Sequence, residues 1–440
     1  MAENKSIAIV FEMQKKNFYS IIPLVATLDE DEDLKELSVL LLDNIGAKEI
    51  KLLLKKYTHL IVAFSFRTAQ LENTYYKMKL IYSSLKYADL ERVTFIAGGS
   101  HPSGDPYTTL KIGFDFVFIG EAEFSLPSFL KKFFMKDDLY STLGIAFLDE
   151  SYLDFISTSK PPEINLDDYP FISRKRGLYS PLEISRGCAF GCTFCQVPTL
   201  FQHKVRHRSP DIIINTVEWM VQQNLTDIRF ITPNSFGYMA SKPREVNKKS
   251  ILYLLKSLKA IPGIRDVYFG TFPGEVRPET VSEDLAQEIK KYVSNNRVSV
   301  GLQSGSNKVL QKIRRGHSVE EGIKAIDILI KAGFIPVVDI IIGIPGSTEQ
   351  DELKTIDLIN TLTKKGSIIR AHVFMPLPGT ALEKTKYIPV SQKVRTELGS
   401  LSSSGKIEGN WSEQERYAKD AWEIIEEISK LPPISKKDSH

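Results

Sequence analysis

The sequence predicts an α/β chain: a doubly wound parallel sheet over residues 1–148, a linker over 149–176, a partial TIM-type (β/α)6 barrel over 177–388 and a helical extension over 389–440. Three observations lead there. Short apolar runs alternate with helix-length stretches through both halves. The strand-like runs are apolar throughout instead of alternating, as strands buried on both faces must be. A connector rich in Asp, Ser, Pro and Thr, with Lys160-Pro161-Pro162 in its middle, separates the two series.

In the first series, residues 7–11, 37–42, 60–64, 93–97 and 116–119 read as strands, the last of them ending the sheet. Residues 18–28, 47–56, 74–86 and 123–134 read as helices. Ligands of such a sheet lie beyond the carboxyl ends of its strands, so the loops after residues 64, 97 and 119 are the ones to read. In the second series the strand candidates are 181–185, 228–232, 267–271, 297–302, 335–342 and 369–374, with helices such as 209–223, 281–292 and 319–332 between them. The active site of a barrel of this kind belongs at the carboxyl ends of its strands. Beyond residue 389 the chain turns polar, with a Gly and Ser run at 400–405. It then offers one helix, 412–431, whose amphipathic pattern fits a plug, a dimer contact or a lid.

Composition narrows the function classes. Of 440 residues 42% are apolar and 25% charged, which excludes a wholly disordered chain. Fifty-seven basic residues against 54 acidic give +3 without a block of either sign, so neither nucleic-acid coating nor a polybasic membrane anchor is indicated. No apolar run approaches the roughly 20 residues needed to span a bilayer. Residues 1–5 are polar and lead straight into a strand, so no secretory signal is read and a cytoplasmic location is expected.

The three cysteines are Cys188, Cys192 and Cys195, in the loop Arg186-Gly187-Cys188-Ala189-Phe190-Gly191-Cys192-Thr193-Phe194-Cys195 directly after the first barrel strand. Three cysteines cannot build a disulfide framework, and their clustering points to thiol chemistry in a reducing compartment. Three thiolates from a short glycine-containing loop can hold three irons of a [4Fe–4S] cubane. With no fourth cysteine, one iron stays open to an exogenous ligand, which implies chemistry and not plain electron transfer. The alternative is zinc, with Cys192, Cys195, His203 and His207 drawn as a Cys2His2 site, although the gap from Cys195 to His203 is shorter than finger spacing and Cys188 is left over.

The cysteine spacing, with Phe194 just before the third cysteine, resembles the signature of radical S-adenosylmethionine (SAM) enzymes. The resemblance covers roughly residues 182–385. It implies that the open iron is chelated by the amino and carboxylate groups of SAM, and that reductive cleavage yields methionine and a 5′-deoxyadenosyl radical. Gly301-Leu302-Gln303-Ser304-Gly305-Ser306 and Arg314-Arg315-Gly316-His317 resemble a fourth-strand segment, which implies that Gln303 and Ser304 face the SAM ribose and that Arg315 reaches its carboxylate. Asp339-Ile340-Ile341-Ile342-Gly343 resembles the fifth-strand motif that packs on adenine, so Ile341 and Gly343 enter the SAM set; Asp339 stands where the family has Gly. Pro233, Asn234 and Ser235 occupy the place of the methionine-amine motif without its residues, and Pro376 to Thr380 matches the sixth-strand exit. Tyr238, Glu275 and Arg277 are substrate candidates at the barrel mouth, with a SAM role also open to Glu275 and Arg277; the alternative for that pair is a solvated ion pair.

The first series lacks both the dinucleotide fingerprint and the P-loop. Its strands lead instead into Ser65, Gly98-Gly99 with His101, and Gly120-Glu121, segments that resemble the Rossmann-like cobalamin-binding domain of B12-dependent radical SAM enzymes. The resemblance implies that these residues receive cobalamin between sheet and barrel. The Asp-x-His-x-x-Gly motif is missing, so no histidine from it would ligate cobalt; His101 reads as a loop or tail-contacting residue. Methylthiotransferases need a second set of three cysteines, which this sequence does not supply. The expectation is a cobalamin-dependent methyltransferase acting on an unactivated carbon or phosphorus centre of a small molecule, lipid precursor or peptide, served by an electron donor such as ferredoxin or flavodoxin. Neither a membrane nor a nucleic acid is expected as partner. The alternatives are a cobalamin-independent radical SAM oxidoreductase or rearranging enzyme, and a zinc-stabilised module that binds protein, or RNA through residues 204–208.

Overall fold

The computed structural model describes residues 7–149 and 154–436; the reading of residues 1–5, part of the linker and the last residues of the tail lie outside them. The chain divides into two compact units. One comprises Met1–Ser180, Leu377–Glu383 and Lys419–His440, the other Pro181–Pro376 and Lys384–Ala418.

The first unit is a seven-stranded sheet built of β1 (Ile7–Glu12), β2 (Ser38–Leu42), β3 (His59–Ser65), β4 (Val93–Gly98), β5 (Phe116–Phe118), β6 (Ile145–Leu148) and β7 (Phe155–Ser157), in the order β2-β1-β3-β4-β5-β6-β7. The first five strands are parallel. Successive side chains leave a strand on opposite faces. Ala8, Val10, Val62 and Phe95 therefore pack with the helices Ala47–Leu53 and Leu71–Ser84 on one side. Ile9, Phe11, Ile61 and Ile96 pack with Phe18–Glu30 and Ser125–Met135 on the other. That double burial is why the strands read as continuous apolar runs.

The expectation that residues 116–119 end the sheet is corrected. The β6 strand adds antiparallel to β5 and β7 antiparallel to β6, and β7 falls in the stretch read as linker. All three β7 residues are exposed on the sheet edge, and Phe155-Ile156 is too short an apolar run to read as a strand by itself. The sheet order reverses between β1 and β3, where a ligand crevice is expected. Asn17 spans that point, its Nδ2 donating to the Glu12 carbonyl at 2.9 Å and the Ser65 carbonyl at 3.0 Å. Lys77 pairs with Glu12 beside it.

The second unit contains β8 (Leu182–Glu183), β9 (Ser185–Arg186), β10 (Arg206–His207), β11 (Asp227–Ile231), β12 (Asp266–Tyr268), β13 (Arg297–Gln303), β14 (Ile335–Ile342), β15 (Ile368–Val373) and β16 (Ile407–Glu408). Parallel β8, β11 and β12 form one arc and parallel β13 to β16 another. A bridge between Val276 and Val300 joins them, with Val276 N donating to the Ser299 carbonyl at 2.8 Å and Gly301 N to the Val276 carbonyl at 3.1 Å. The six expected staves are all present.

The chain departs from the expectation in three further places. The β9 and β10 strands pair antiparallel as a ribbon just before and after the cysteine loop. The short β16 extends the barrel beyond six staves, and Gln392–Ser403 is a helix in a stretch read only as polar. The last helix, Trp411–Lys430, lies within a residue of its expected bounds. No helix among the described residues is long and apolar enough to cross a membrane.

Phe129 is fully buried beneath the sheet, in edge contact with Phe116 and Phe118. Phe129→Ala is expected to destabilise the first unit by about 3–5 kcal/mol, measured as a lowered urea midpoint.

Candidate active site

The site begins at the end of β9. Gly187 has φ +86°, and a Cβ there would stand 2.1 Å from the Lys204 carbonyl oxygen, so only glycine lets the chain pass so close to the strand that follows the loop. The loop is then held from the barrel, Thr193 N donating to the Ile313 carbonyl at 3.1 Å. Cys192 is buried and Cys188 and Cys195 half-buried. The Cys192 thiol donates to the Arg314 carbonyl at 3.7 Å, while Arg315 Nη1 approaches its sulfur at 3.6 Å and Arg277 Nη1 at 3.9 Å.

Burial pushes the Cys195 thiol up to about 11, against the Val197 backbone N–H, and raises Cys188 in the same way. Each also feels the neighbouring thiols, which places the three sulfurs within electrostatic reach of one another. Without metal the Cys188 and Cys195 thiols stay protonated at neutral pH, and loading a metal must expel their protons. Three soft donors from one loop, with two guanidinium groups directed at the Cys192 sulfur, fit in their chemistry an anionic thiolate-bound iron–sulfur cluster.

Arg277 is 3% exposed and is fixed in every direction. Its Nε donates to Glu279 Oε1 at 2.5 Å, its Nη2 to the Arg315 carbonyl, and its guanidinium lies 3.5 Å from the centre of the Phe190 ring in the cysteine loop. The other Glu279 oxygen meets His317 Nδ1 at 3.0 Å, and His317 Nε2 faces the Leu302 carbonyl at 3.2 Å. Burial alone would raise Glu279, but the His317 hydrogen bond and the Arg277 charge outweigh it and bring its carboxyl down to about 2.

Alternate residues of β13, β14 and β15 (Ser299, Gly301 and Gln303, Asp339, Arg370 and His372) line a polar face. Their neighbours Val300, Leu302, Val338, Ile340, Ile369 and Ala371 are all buried apolar residues. A Cβ on Gly301 would meet Arg315 Nη2 at 2.4 Å, Gln303 Nε2 at 2.8 Å and Glu275 Oε2 at 3.5 Å, so its absence is what lets these three groups converge. Gln303 holds φ +80° at a register break with β14, backbone strain of the kind that gathers at functional sites. Asp339 Oδ1 forms an ion pair with Arg370 Nε at 3.1 Å and lies 3.3 Å from His372 Nε2, while its Oδ2 is buried without a partner. Desolvation and then the Asp339 charge push Glu275 up to about 7, against the pull of Arg315, Arg370 and His372.

Of the residues expected near SAM, Phe194, Pro233, Asn234, Ile341 and Gly343 are half-exposed, and Arg315 and Gln303 are gathered at Gly301. Asn234 Oδ1 accepts from Arg277 N at 3.1 Å. Ser304 and Ser235 are set apart. Ser304 is buried and locks a turn, its Oγ accepting from Ser306 N at 3.1 Å beside Thr355. Ser235 is fully buried, donating to the Gly274 carbonyl at 3.0 Å.

Two of the substrate candidates also need correction. Tyr238 is fully buried and donates to the Arg208 carbonyl at 2.7 Å, so it is core and not barrel mouth. Arg277 is no solvated partner of Glu275; it bonds Glu279 inside the cysteine site. Glu279, His317, Phe190, Arg370 and His372 were not singled out from the sequence. For Glu279, His317, Arg370 and His372 the only signal was a charge or a histidine in or beside strands already suspected, and for Phe190 it was the place between two of the cysteines.

In the first unit Ser65, Gly98, Gly99, Gly120 and Glu121 lie half-exposed at adjacent carboxyl ends of β3, β4 and β5. A Cβ on Gly99, at φ +96°, would sit 2.8 Å from Ser65 Oγ, so the Gly-Gly turn hugs that serine. His101 instead is fully buried, stacked on Phe66 with Nδ1 3.2 Å from Thr68 Oγ1, and burial brings it down to about 4. It therefore supports the loop from beneath. Of the histidines of the zinc alternative, His203 is exposed, with Cε1 3.8 Å from where a Cβ on Gly191 would stand, and His207 is engaged elsewhere, its Nδ1 2.8 Å from Ser185 Oγ and its ring edge on Tyr238.

Residues 182–359 match the radical SAM superfamily. The chain is 28% identical over 222 residues to a tRNA-2-methylthio-N(6)-dimethylallyladenosine synthase of Acidovorax sp. (strain JS42), covering 50% of this chain and 48% of that protein. It is also 28% identical over 269 residues to the protein of the same name from Thermosipho melanesiensis, covering 60% and 59%. The chain thus spans about half the length of the curated relatives it matches. Those names, which refer to tRNA, weigh against the expectation that nucleic acid is no partner.

Among solved structures, the cobalamin-dependent SAM radical enzyme OxsB with aqua-cobalamin bound superposes with TM-score 0.65 at 17% identity, over 95% of this chain and 56% of that one. The radical SAM methyltransferase TsrM from Kitasatospora setae, with cobalamin and a [4Fe-4S] cluster bound, gives TM-score 0.64 at 13% identity, over 88% and 76%. At these identities the likeness is one of fold.

Gly187→Ala is expected to lose most of the iron that the wild type takes up on anaerobic reconstitution, measured per folded chain. Glu279 is held below its ordinary value of 4.5, so its stabilising contribution is full above that pH and vanishes as pH falls through about 2. The stability gap between wild type and Glu279→Gln, from urea titrations, is expected to shrink across that window.

Proposed function

Starting from a chain whose residues 182–359 match the radical SAM superfamily, we propose that this protein is an enzyme that reductively cleaves SAM. We propose further that it uses cobalamin to transfer a methyl group to an unactivated carbon or phosphorus centre of a small molecule, lipid precursor or peptide. The observation that carries the first step is the seating of Cys188, Cys192 and Cys195 in one loop, with Arg277 and Arg315 turned onto the Cys192 sulfur. A [4Fe-4S] cluster held there would supply one electron, drawn from a donor of the ferredoxin or flavodoxin kind, to break the C5′–S bond of SAM.

The chain's own residues have separate tasks in this reading. Gly187 sets the path of the loop, and the cradle at Gly301 presents Arg315 and Gln303 to SAM. Glu275, poised near neutrality, can hold or release a proton at its carboxyl within the barrel. Cobalamin is supported by the half-exposed row Ser65, Gly98, Gly99, Gly120 and Glu121 and by fold likeness to two cobalamin-bound proteins. A second reading, with a tRNA base as acceptor, is favoured by the names of the curated relatives. All three cysteines of the sequence are taken by the single loop, which supports methyl over methylthio transfer.

The test is anaerobic reconstitution with iron, sulfide and hydroxocobalamin, followed by metal quantitation and absorbance on one sample. About four irons and one cobalt per chain are expected, with iron and SAM cleavage lost in Cys188→Ala, Cys192→Ala and Cys195→Ala. Iron without cobalt would remove cobalamin from the proposal, and zinc without iron would overturn it.

A further inference from the structure

We propose that Arg277 is a positioning residue that raises the reduction potential of the cluster by aiming a guanidinium N–H at the Cys192 sulfur, and that Glu279 and His317 hold it in that pose. The inference rests on the reading of the three cysteines as cluster ligands and adds to it the group that tunes them.

The geometry leaves Arg277 one orientation. Three of its nitrogens are each assigned, Nε to Glu279, Nη2 to the Arg315 carbonyl and Nη1 to Cys192 Sγ at 3.9 Å, while its flat face covers Phe190. Phe190 lies between Cys188 and Cys192, so the guanidinium grips the loop by its aromatic side chain and its sulfur together. Glu279 and His317 have fully buried side chains, and both His317 nitrogens face acceptors, so the support behind Arg277 is itself fixed. Arg315 also reaches Cys192, but its Nε and Nη2 donate to the Gly301 carbonyl at 3.2 and 2.7 Å, which directs the rest of its guanidinium into the Gly301 cradle.

Reduction adds one electron, and so negative charge, to the cluster and its sulfurs. A charged donor on one sulfur stabilises the reduced form more than the oxidised one, and burial strengthens the effect. Lysine cannot reproduce it, because a point ammonium cannot stack on Phe190 and fork to three acceptors at once.

The experiment is an EPR-monitored redox titration, with iron counts, of reconstituted wild type, Arg277→Gln, Arg277→Lys, Glu279→Gln and His317→Gln. Arg277→Gln is expected to keep its iron while its reduction equilibrium weakens about tenfold, a midpoint about 59 mV more negative. Arg277→Lys should recover part of that, and Glu279→Gln and His317→Gln should shift the same way by less. An unchanged midpoint in iron-replete Arg277→Gln overturns the proposal. If Arg277→Gln holds no iron, unchanged midpoints in both Glu279→Gln and His317→Gln overturn it instead. A wild type that binds no iron removes the cluster reading, a failure distinct from unshifted variants of an iron-loaded protein.

Discussion

A charge taken into the interior of a parallel barrel must meet an opposite charge there, because desolvation is otherwise unopposed. The polar side of the second unit is arranged around that constraint. Arg277 is neutralised by Glu279, Arg370 by Asp339, and Arg315 sits against the Gly301 carbonyl within the field of Glu275. The cysteine loop depends on the same constraint from the other direction. Arg277 and Arg315, each compensated in this way, are the groups that direct a guanidinium nitrogen at the Cys192 sulfur, at 3.9 and 3.6 Å.

The pairing is uneven, and the unevenness locates chemistry. Glu279 is held ionised far below its ordinary range, while Glu275, a few residues earlier on the same strand exit, is pushed toward neutrality. Two carboxyls driven apart in this way take different tasks, one structural and one able to exchange a proton near pH 7. Asp339 adds a buried oxygen with no partner on the strand where the resembling family has glycine. In the first unit polar groups are used differently. Asn17 ties two strand ends across the sheet's reversal, and the half-exposed residues stand at the next strand ends along.

Much of the fold was legible because its signals are local. Five buried strands and their helices show as unbroken apolar runs, and the six barrel staves recur in order. The strands that escaped notice are β7, wholly exposed, and β16, two residues long; pairing with a neighbour makes them strands, and no run of their own side chains announces it. The site was legible in order but not in orientation. A motif gives the position of Ser304, Ser235, Tyr238 and His101 along the chain, yet which way each side chain turns depends on neighbours far off in sequence. All four turned inward to hydrogen-bond or stack with protein.

The sequence by itself determined the two-part α/β architecture, the cysteine loop and its three sulfur donors, because each is written in contiguous residues with a fixed period or spacing. Only the tertiary structure decided that Arg277 serves the cysteine loop, that Gly187 must be glycine, and that Glu275 and Glu279 diverge. Those outcomes depend on burial and on partners 17 to 85 residues away, such as Lys204, Arg315, His317 and Cys192, and proximity of that kind exists only once the chain has folded.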